Sequence, residues 1–413
     1  MMKKIGILIG AILIVLMIFI IGKDLAREDQ TESEQTVDKT KTEKVAKENK
    51  TDETADGQAD TKESASPSSP LPEKMNDKQI DNLIKKMSLE EKIGQMMVVG
   101  FQSTDVDSHI KKMIETYHVG GIILYDRNMT NPKQVKTLNQ DLQTLARDSS
   151  NGIPLIISVD QEGGDIVRMP DHVSNIPSQK ELGKKGNEDE VYSVAKQNAK
   201  ELSSMGFNVN YAPVLDLSST DSRSFGEDPE QAYQFGKQVI TGFADSSVVG
   251  ALKHFPGHGR SDVDPHFDSS SVDAEKGDLE NTDIYPFKKM IEEVDQSNYF
   301  VMVTHFIYPA YDKKLPASVS PTIIRDLLRE ELGFDGIVVT DDLEMGAVAK
   351  LYSYEELGYK AVNAGADLLL VCHTLESQEK VYNGILQAVQ NGKLTEEQID
   401  QSVKRILKHK FGS

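Results

Sequence analysis

The chain has 413 residues, with 66 Asp and Glu against 46 Lys and Arg, for a formal net charge of −20. That balance argues against nucleic-acid binding, which needs a basic footprint, and the length allows one large domain or two ordinary ones. The single cysteine, Cys372, excludes an intrachain disulfide and a Cys-rich zinc module. Cys372 follows the apolar run 366–371 and reads as a buried, inert thiol.

Met1 to Lys4 is short and basic, and Ile5 to Gly22 is an apolar run of 18 residues. That run is just long enough to cross a bilayer core. Basic sequence before it and acidic sequence after it predict an N-terminus inside and the remainder outside. A cleaved export signal is the rival reading, and an uncleaved anchor is preferred because no small-x-small site closes the run. No cysteine follows it, so a lipoprotein is excluded. Residues 1–22 are therefore expected to be a membrane anchor, giving a single-pass membrane protein with an extracellular domain, or a secreted one if the segment is cleaved. Residues 23–72 are rich in Glu, Asp, Lys, Thr and Ser. They cannot bury enough apolar surface to offset chain entropy, which predicts a disordered acidic linker. At roughly 50 residues its r.m.s. reach is about 40 Å.

From residue 73 to 413 the composition is globular. Ser88-Leu89-Glu90-Glu91 is a capping box that opens a helix. Eight apolar runs follow: Met96–Phe101, Val119–Tyr125, Leu155–Asp160, Val209–Leu217, Val248–Phe255, Tyr299–His305, Gly336–Asp341 and Ala366–His373. Pro213 predicts that the fourth is irregular. Helix-period segments such as Glu188–Met205 and Gln231–Ala244 lie between them. Another helix is expected from Ser320-Pro321, an N-cap with Pro at the first helical position, to Gly333. A last one is expected from the capping box at Thr395 to about Lys410. Eight strands alternating with helices predict a (β/α)8 barrel in one catalytic domain; a doubly wound open sheet is the alternative.

In such a barrel, chemistry lies at the C-terminal strand ends. Polar residues stand there on six strands: Tyr125-Asp126-Arg127-Asn128, Asp160-Gln161-Glu162, Asp216 with Arg223 beyond it, Lys253-His254, His305, and Thr340-Asp341-Asp342. The strand interiors are nearly free of charge. The densest stretch is 253–268, where Lys253, His254, His258, Asp264 and His266 lie among glycines. Carboxylates that accept sugar hydroxyls, beside Lys and Arg that donate to them, suit a polyhydroxylated ligand. The residues point to a carbohydrate enzyme with an Asp nucleophile and a separate acid/base, as retaining glycosidases require.

Lys253-His254-Phe255-Pro256-Gly257-His258-Gly259 followed by Asp264-Pro265-His266 resembles the signature of glycoside hydrolase family 3. The likeness is to its β-N-acetylglucosaminidase branch, which acts on peptidoglycan fragments. It extends from about Met87 to about Gln390, through Val119-Gly120-Gly121-Ile122, Asp160-Gln161-Glu162-Gly163-Gly164, Ala212-Pro213-Val214-Leu215-Asp216, Arg223-Ser224-Phe225-Gly226-Glu227-Asp228 and Thr340-Asp341-Asp342-Leu343. The resemblance implies that Asp341 is the nucleophile, His266 the acid/base and Asp264 its carboxylate partner. It implies that Asp160, Arg168, Arg223, Lys253 and His254 bind a non-reducing GlcNAc. It implies no cofactor and no metal, a GlcNAc-containing glycan or muropeptide as substrate, and the protein is expected to be a monomer. The family's usual Gly-Gly-Arg is Gly163-Gly164-Asp165 here. The extra C-terminal domain of some members is not expected after the tail helix.

An imidazole donates and accepts protons near neutral pH, which suits His266, and Asp264 two residues earlier can fix its tautomer. Lys253 and Arg223 are expected to keep Asp341 ionised, with Asp342 turned elsewhere. His258, His118 and His373 are read as structural. Two alternatives stay open: a metal-dependent barrel hydrolase using His254, His258, Asp264 and His266, and a catalytically dead, membrane-tethered wall-binding protein.

Overall fold

The helices begin where their cap residues stand. In the computed structural model, which describes residues 74–260 and 270–412, Ser88 Oγ accepts the Glu91 N–H at 3.1 Å while Glu91 accepts the Ser88 N–H at 2.7 Å. That reciprocal pair opens the helix Leu89–Gln95. Thr395 and Gln398 cap Glu396–Phe411 in the same way. The two helix-period segments form Glu188–Ser204 and Pro229–Ala244. Beyond Ser320-Pro321 the chain winds as a ten-residue π-helix, Thr322–Glu331, and leaves it at Gly333, whose φ of +76° favours glycine.

All eight apolar runs are strands: β1 (Met97–Val99), β2 (Gly121–Ile123), β3 (Ile156–Val159), β4 (Val209–Asn210), β5 (Val249–Phe255), β6 (Tyr299–Val303), β7 (Val338–Thr340) and β8 (Leu369–Val371). They pair in parallel in the order β8-β1-β2-β3-β4-β5-β6-β7. A parallel bridge from Val339 to Leu368 brings β7 against the residue before β8, so the sheet returns on itself. This is the (β/α)8 barrel, since a doubly wound sheet would leave β7 and β8 as open edges. β4 is as irregular as Pro213 predicts: it breaks after Asn210 and rejoins the sheet at Val214, which bridges to Lys253. Leu215 N–H then donates to the Lys253 carbonyl at 2.6 Å, tying the end of the fourth run to the site-bearing end of β5.

One element has no counterpart in the sequence reading. After β6 the chain makes a short antiparallel ribbon, Ile307–Tyr308 against Asp312–Pro316. Tyr308 Oη donates to the Gly257 carbonyl at 2.8 Å and so braces the loop leaving β5. The opposite end of the barrel is devoted to stability. There Asp367, fully buried, accepts from Arg329 at 2.5 Å, from Arg405 at 3.2 Å and from the Val338 N–H at 2.9 Å. Lys410 of the last helix donates to Gln95 Oε1 and to the Gly120 carbonyl at 2.8 and 2.7 Å.

Among the described residues, no helix is long and apolar enough to cross a membrane. The expected anchor (1–22) and linker (23–72) lie outside the described residues, as do Asp264 and His266.

Candidate active site

The C-terminal strand ends open onto a cavity of about 690 Å³, within the usual range for small-molecule sites. Asp160, Arg168, Arg223, Lys253, His254 and Asp341 all line it. Six of the eight residues expected in the site are thus brought together; the other two, Asp264 and His266, lie outside the described residues. Met302 and Leu370 also line the cavity, between the polar groups.

Each polar residue is placed by the strand before it. Asp341 directly follows β7, and its N–H continues the ladder to the Val303 carbonyl at 3.0 Å. Its Oδ1 accepts the Asp342 N–H at 2.9 Å. Burial pushes this carboxyl up, but the imidazoles of His254 and His305, the Asp342 N–H and the Lys253 ammonium together hold it below its ordinary value. Arg223, expected to share that task, is engaged elsewhere. Its Nε and Nη2 donate to the two oxygens of Glu162 at 2.7 and 2.9 Å. The guanidinium fork matches a carboxylate so well that it takes the nearer one.

Glu162 is the electrostatic centre of this wall. Its side chain is 3 % exposed, and its Oε1 also lies 2.6 Å from Lys253 Nζ. Lys253 in turn donates to Asp160 at 2.9 Å. Two carboxylates and two cations therefore alternate along one side of the cavity, and only Asp160 and Arg223 keep appreciable exposure, 20 % and 28 % of their side chains. Arg168 pairs with Asp126 at 2.7 Å and lies 5.5 Å from the Tyr125 ring centroid. Arg127 holds the other strand ends together by donating to the Phe101 and Cys372 carbonyls, and its guanidinium lies 4.4 Å from the same Tyr125 ring.

Asp342 does turn elsewhere. Its Oδ1 accepts from the N–H of Glu344 at 3.1 Å and of Cys372 at 3.2 Å, and its Oδ2 lies 3.1 Å from His373 Nε2. His305 is fully buried, donating to the Asp342 carbonyl and accepting from Ser318. His373 departs from the structural reading. It stands on the cavity wall, 5.6 Å from the Tyr125 ring centroid, and its hydrogen bond with Asp342 raises its pKa. It stands two residues past the end of β8, beyond Cys372. His258 also reaches the cavity, although its backbone N–H is bound to Asp216.

Asp216, His254 and His258 are the one group of described residues whose donor atoms could share an ion. The 2.6 Å between His254 Nδ1 and Asp216 Oδ2 is a hydrogen-bond length. Ligands of one tetrahedral zinc lie about 3.3 Å apart, given Zn–N distances of about 2.0–2.1 Å. At this spacing the imidazole and the carboxylate share a proton.

The sequence model of the family described as Glycosyl hydrolase family 3 N terminal domain matches residues 88–409. A relative named Beta-hexosaminidase A, from Pseudoalteromonas piscicida, is 31% identical over 74% of this chain and 56% of its own length. A Beta-hexosaminidase of Thiobacillus denitrificans is 34% identical over 70% of this chain and 81% of its own. Among solved structures, a glycoside hydrolase family 3 β-N-acetylglucosaminidase from Paenibacillus sp. str. FPU-7 is similar with a TM-score of 0.76 and 38% identity, over 78% of this chain and 62% of that one. The chain thus spans little more than half of some relatives and most of others.

Proposed function

The chain belongs to glycosyl hydrolase family 3, in its β-N-acetylhexosaminidase branch, and from that premise we propose that it is a retaining β-N-acetylglucosaminidase. It removes non-reducing terminal GlcNAc from peptidoglycan fragments or related glycans. The observation that carries this reading is Asp341: a carboxylate at the end of β7, kept ionised in a cavity whose wall alternates carboxylates and cations.

In the proposed reaction Asp341 attacks the anomeric carbon as the bond to the leaving oxygen breaks. His266, steadied by Asp264, gives that oxygen a proton. It then takes a proton from the water that attacks the same carbon, and Asp341 is released. Asp160, Arg168, Arg223, Lys253 and His254 hold the sugar. Since Arg223 and Lys253 share Glu162, they arrive preorganised and lose little freedom when the sugar enters. The apolar run 5–22, with Lys3 and Lys4 directly before it, supports placing the barrel on the outer face of the membrane, where wall glycan lies.

Release of p-nitrophenol from the β-GlcNAc glycoside tests the activity. Turnover is expected, and Asp341→Ala is expected to abolish it while the variant melts like the parent. Sugar binding with no turnover by the unmutated protein would mean a dead barrel. Product analysis on defined muropeptides tests the substrate: free GlcNAc is expected, and its absence would remove peptidoglycan fragments from the proposal.

A further inference from the structure

Asp216 does not line the cavity, yet it holds two residues that do. It is 1 % exposed, and its carboxylate meets the end of β5 at His254 and the loop beyond it at His258. Oδ1 accepts the N–H of His254 at 3.2 Å and of His258 at 2.8 Å. Oδ2 accepts from His254 Nδ1 at 2.6 Å and lies 3.4 Å from His258 Nε2. The two imidazoles lie with centroids 4.5 Å apart, tilted by 33°.

A neutral imidazole carries one proton. When Nδ1 gives that proton to a carboxylate that can only accept, Nε2 is left with a bare lone pair. Burial pushes the His254 imidazole below its usual value, and the two histidines outweigh burial to hold Asp216 well below the carboxylate range. The downward shift of His254 favours a neutral ring, and the low value of Asp216 keeps its carboxylate ionised, able only to accept. Arg223 and His258 also face His254 and add to the cost of a second proton on the ring. A purely architectural need, acceptance of two backbone N–H groups, would be met equally by asparagine. The acidic side chain matters to the two rings, and at 2.6 Å against 3.4 Å more closely to that of His254.

We infer that Asp216 is a positioning residue that locks His254 with its proton on Nδ1, so that Nε2 accepts a hydroxyl proton from the bound sugar. Asp216 thereby makes the site selective for a hydroxyl donor at one sugar position. The inference rests on the proposed role of His254 as a sugar contact and adds the direction of the hydrogen bond.

Direction can be read with fluorine, which accepts weakly and never donates. The probes are p-nitrophenyl β-GlcNAc and its 3-, 4- and 6-deoxyfluoro analogues, assayed with the full chain. Fluorine's intrinsic slowing is common to all variants and cancels when they are compared. At one position the unmutated protein is expected to reject fluorine by at least about 100-fold in kcat/KM. His254→Ala is expected to erase that discrimination. Asp216→Asn keeps the acceptor for both backbone N–H groups but turns an amide N–H toward Nδ1, which moves the ring proton to Nε2. It is expected to shrink the fluorine penalty at that same position at least tenfold, chiefly through KM. If His254→Ala leaves the discrimination intact at every position, the sugar-contact reading of His254 fails. If His254→Ala erases it and Asp216→Asn does not, the role of Asp216 alone fails. Imidazole ¹⁵N NMR of the unmutated protein, with His254 assigned by its loss in His254→Gln, reads the tautomer without any change at Asp216. A proton on Nδ1 is expected, and one on Nε2 overturns the inference.

Discussion

Replacing Glu162 by Gln removes the charge that Arg223 and Lys253 both depend on. Burial pushes this carboxyl up, yet the two cations hold it well below the ordinary carboxylate range, so it enters the native state ionised. The substitution keeps the shape and one acceptor oxygen but leaves the cluster with two cations against Asp160 alone. Breaking a buried pair by removing one partner costs about 3–5 kcal/mol. Arg223 retains 28 % side-chain exposure and Lys253 keeps its 2.9 Å bond to Asp160, which places the expected cost at the lower end, about 3 kcal/mol. A domain of about 340 residues unfolds with an entropy of about 0.7 kcal/mol per kelvin, so the melting temperature should fall by about 4 °C. Calorimetry on the single variants Glu162→Gln and Arg223→Gln and on the double variant measures this. The double variant should be less destabilised than the sum of the singles, because removing Arg223 relieves part of the charge imbalance. KM should rise in Glu162→Gln, since Arg223 and Lys253 lose their common anchor. A melting shift below about 1 °C, or strict additivity, would refute the reasoning.

Loss of His266 should be selective: His266→Ala should slow alkyl glycosides by about 10²–10⁴-fold and the 2,4-dinitrophenyl glycoside far less, because a good leaving group departs without a proton. Equal losses would remove His266 from the acid role. Exhaustive chelation should leave turnover unchanged; activity that vanishes and returns with zinc would revive the metal-dependent reading. Stability should rise with pH on account of Lys410, whose amine burial pushes down to about 7 from an ordinary 10.5. Between those values the unfolded chain binds more protons, so folding gains as pH increases and the penalty is complete below about 7. Denaturant midpoints at pH 7 and 9 should show this slope in the parent and a smaller one in Lys410→Met; identical slopes would contradict it.

What the sequence made legible is what repeats or acts locally. Eight apolar runs announce eight strands because a parallel barrel buries both faces of each one. The capping boxes at Ser88 and Thr395 mark helix starts to the residue, because the cap bonds span only three positions. Asp160, Lys253, His254 and Asp341 could be placed at the mouth because they end strands. Arg223 could be placed there only loosely, seven residues beyond Asp216 at the fourth strand end, and Arg168, on the loop after the third, came from the family likeness alone. Pairings across the mouth were not legible. Nothing near Arg223 in the chain says that it will bind Glu162, 61 residues away, rather than help Asp341. Asp216 could be seen at the end of the fourth run, but not that its acceptors would meet two imidazoles arriving from β5. His373 was within reach: it closes the eighth apolar run, two residues past β8, where polar residues at the other strand ends also stand. The ribbon Ile307–Asp312–Pro316 is too short, and too charged at Lys313-Lys314, to read as strand.

The central claim is that Asp341 forms the covalent bond to the sugar. Incubation with a mechanism-based fluorinated GlcNAc, followed by proteolysis and mass spectrometry, tests it most directly. The predicted result is a single labelled peptide with the sugar ester on Asp341, and turnover that recovers as the ester hydrolyses. A label on Asp342, Asp160 or any other side chain would contradict the account.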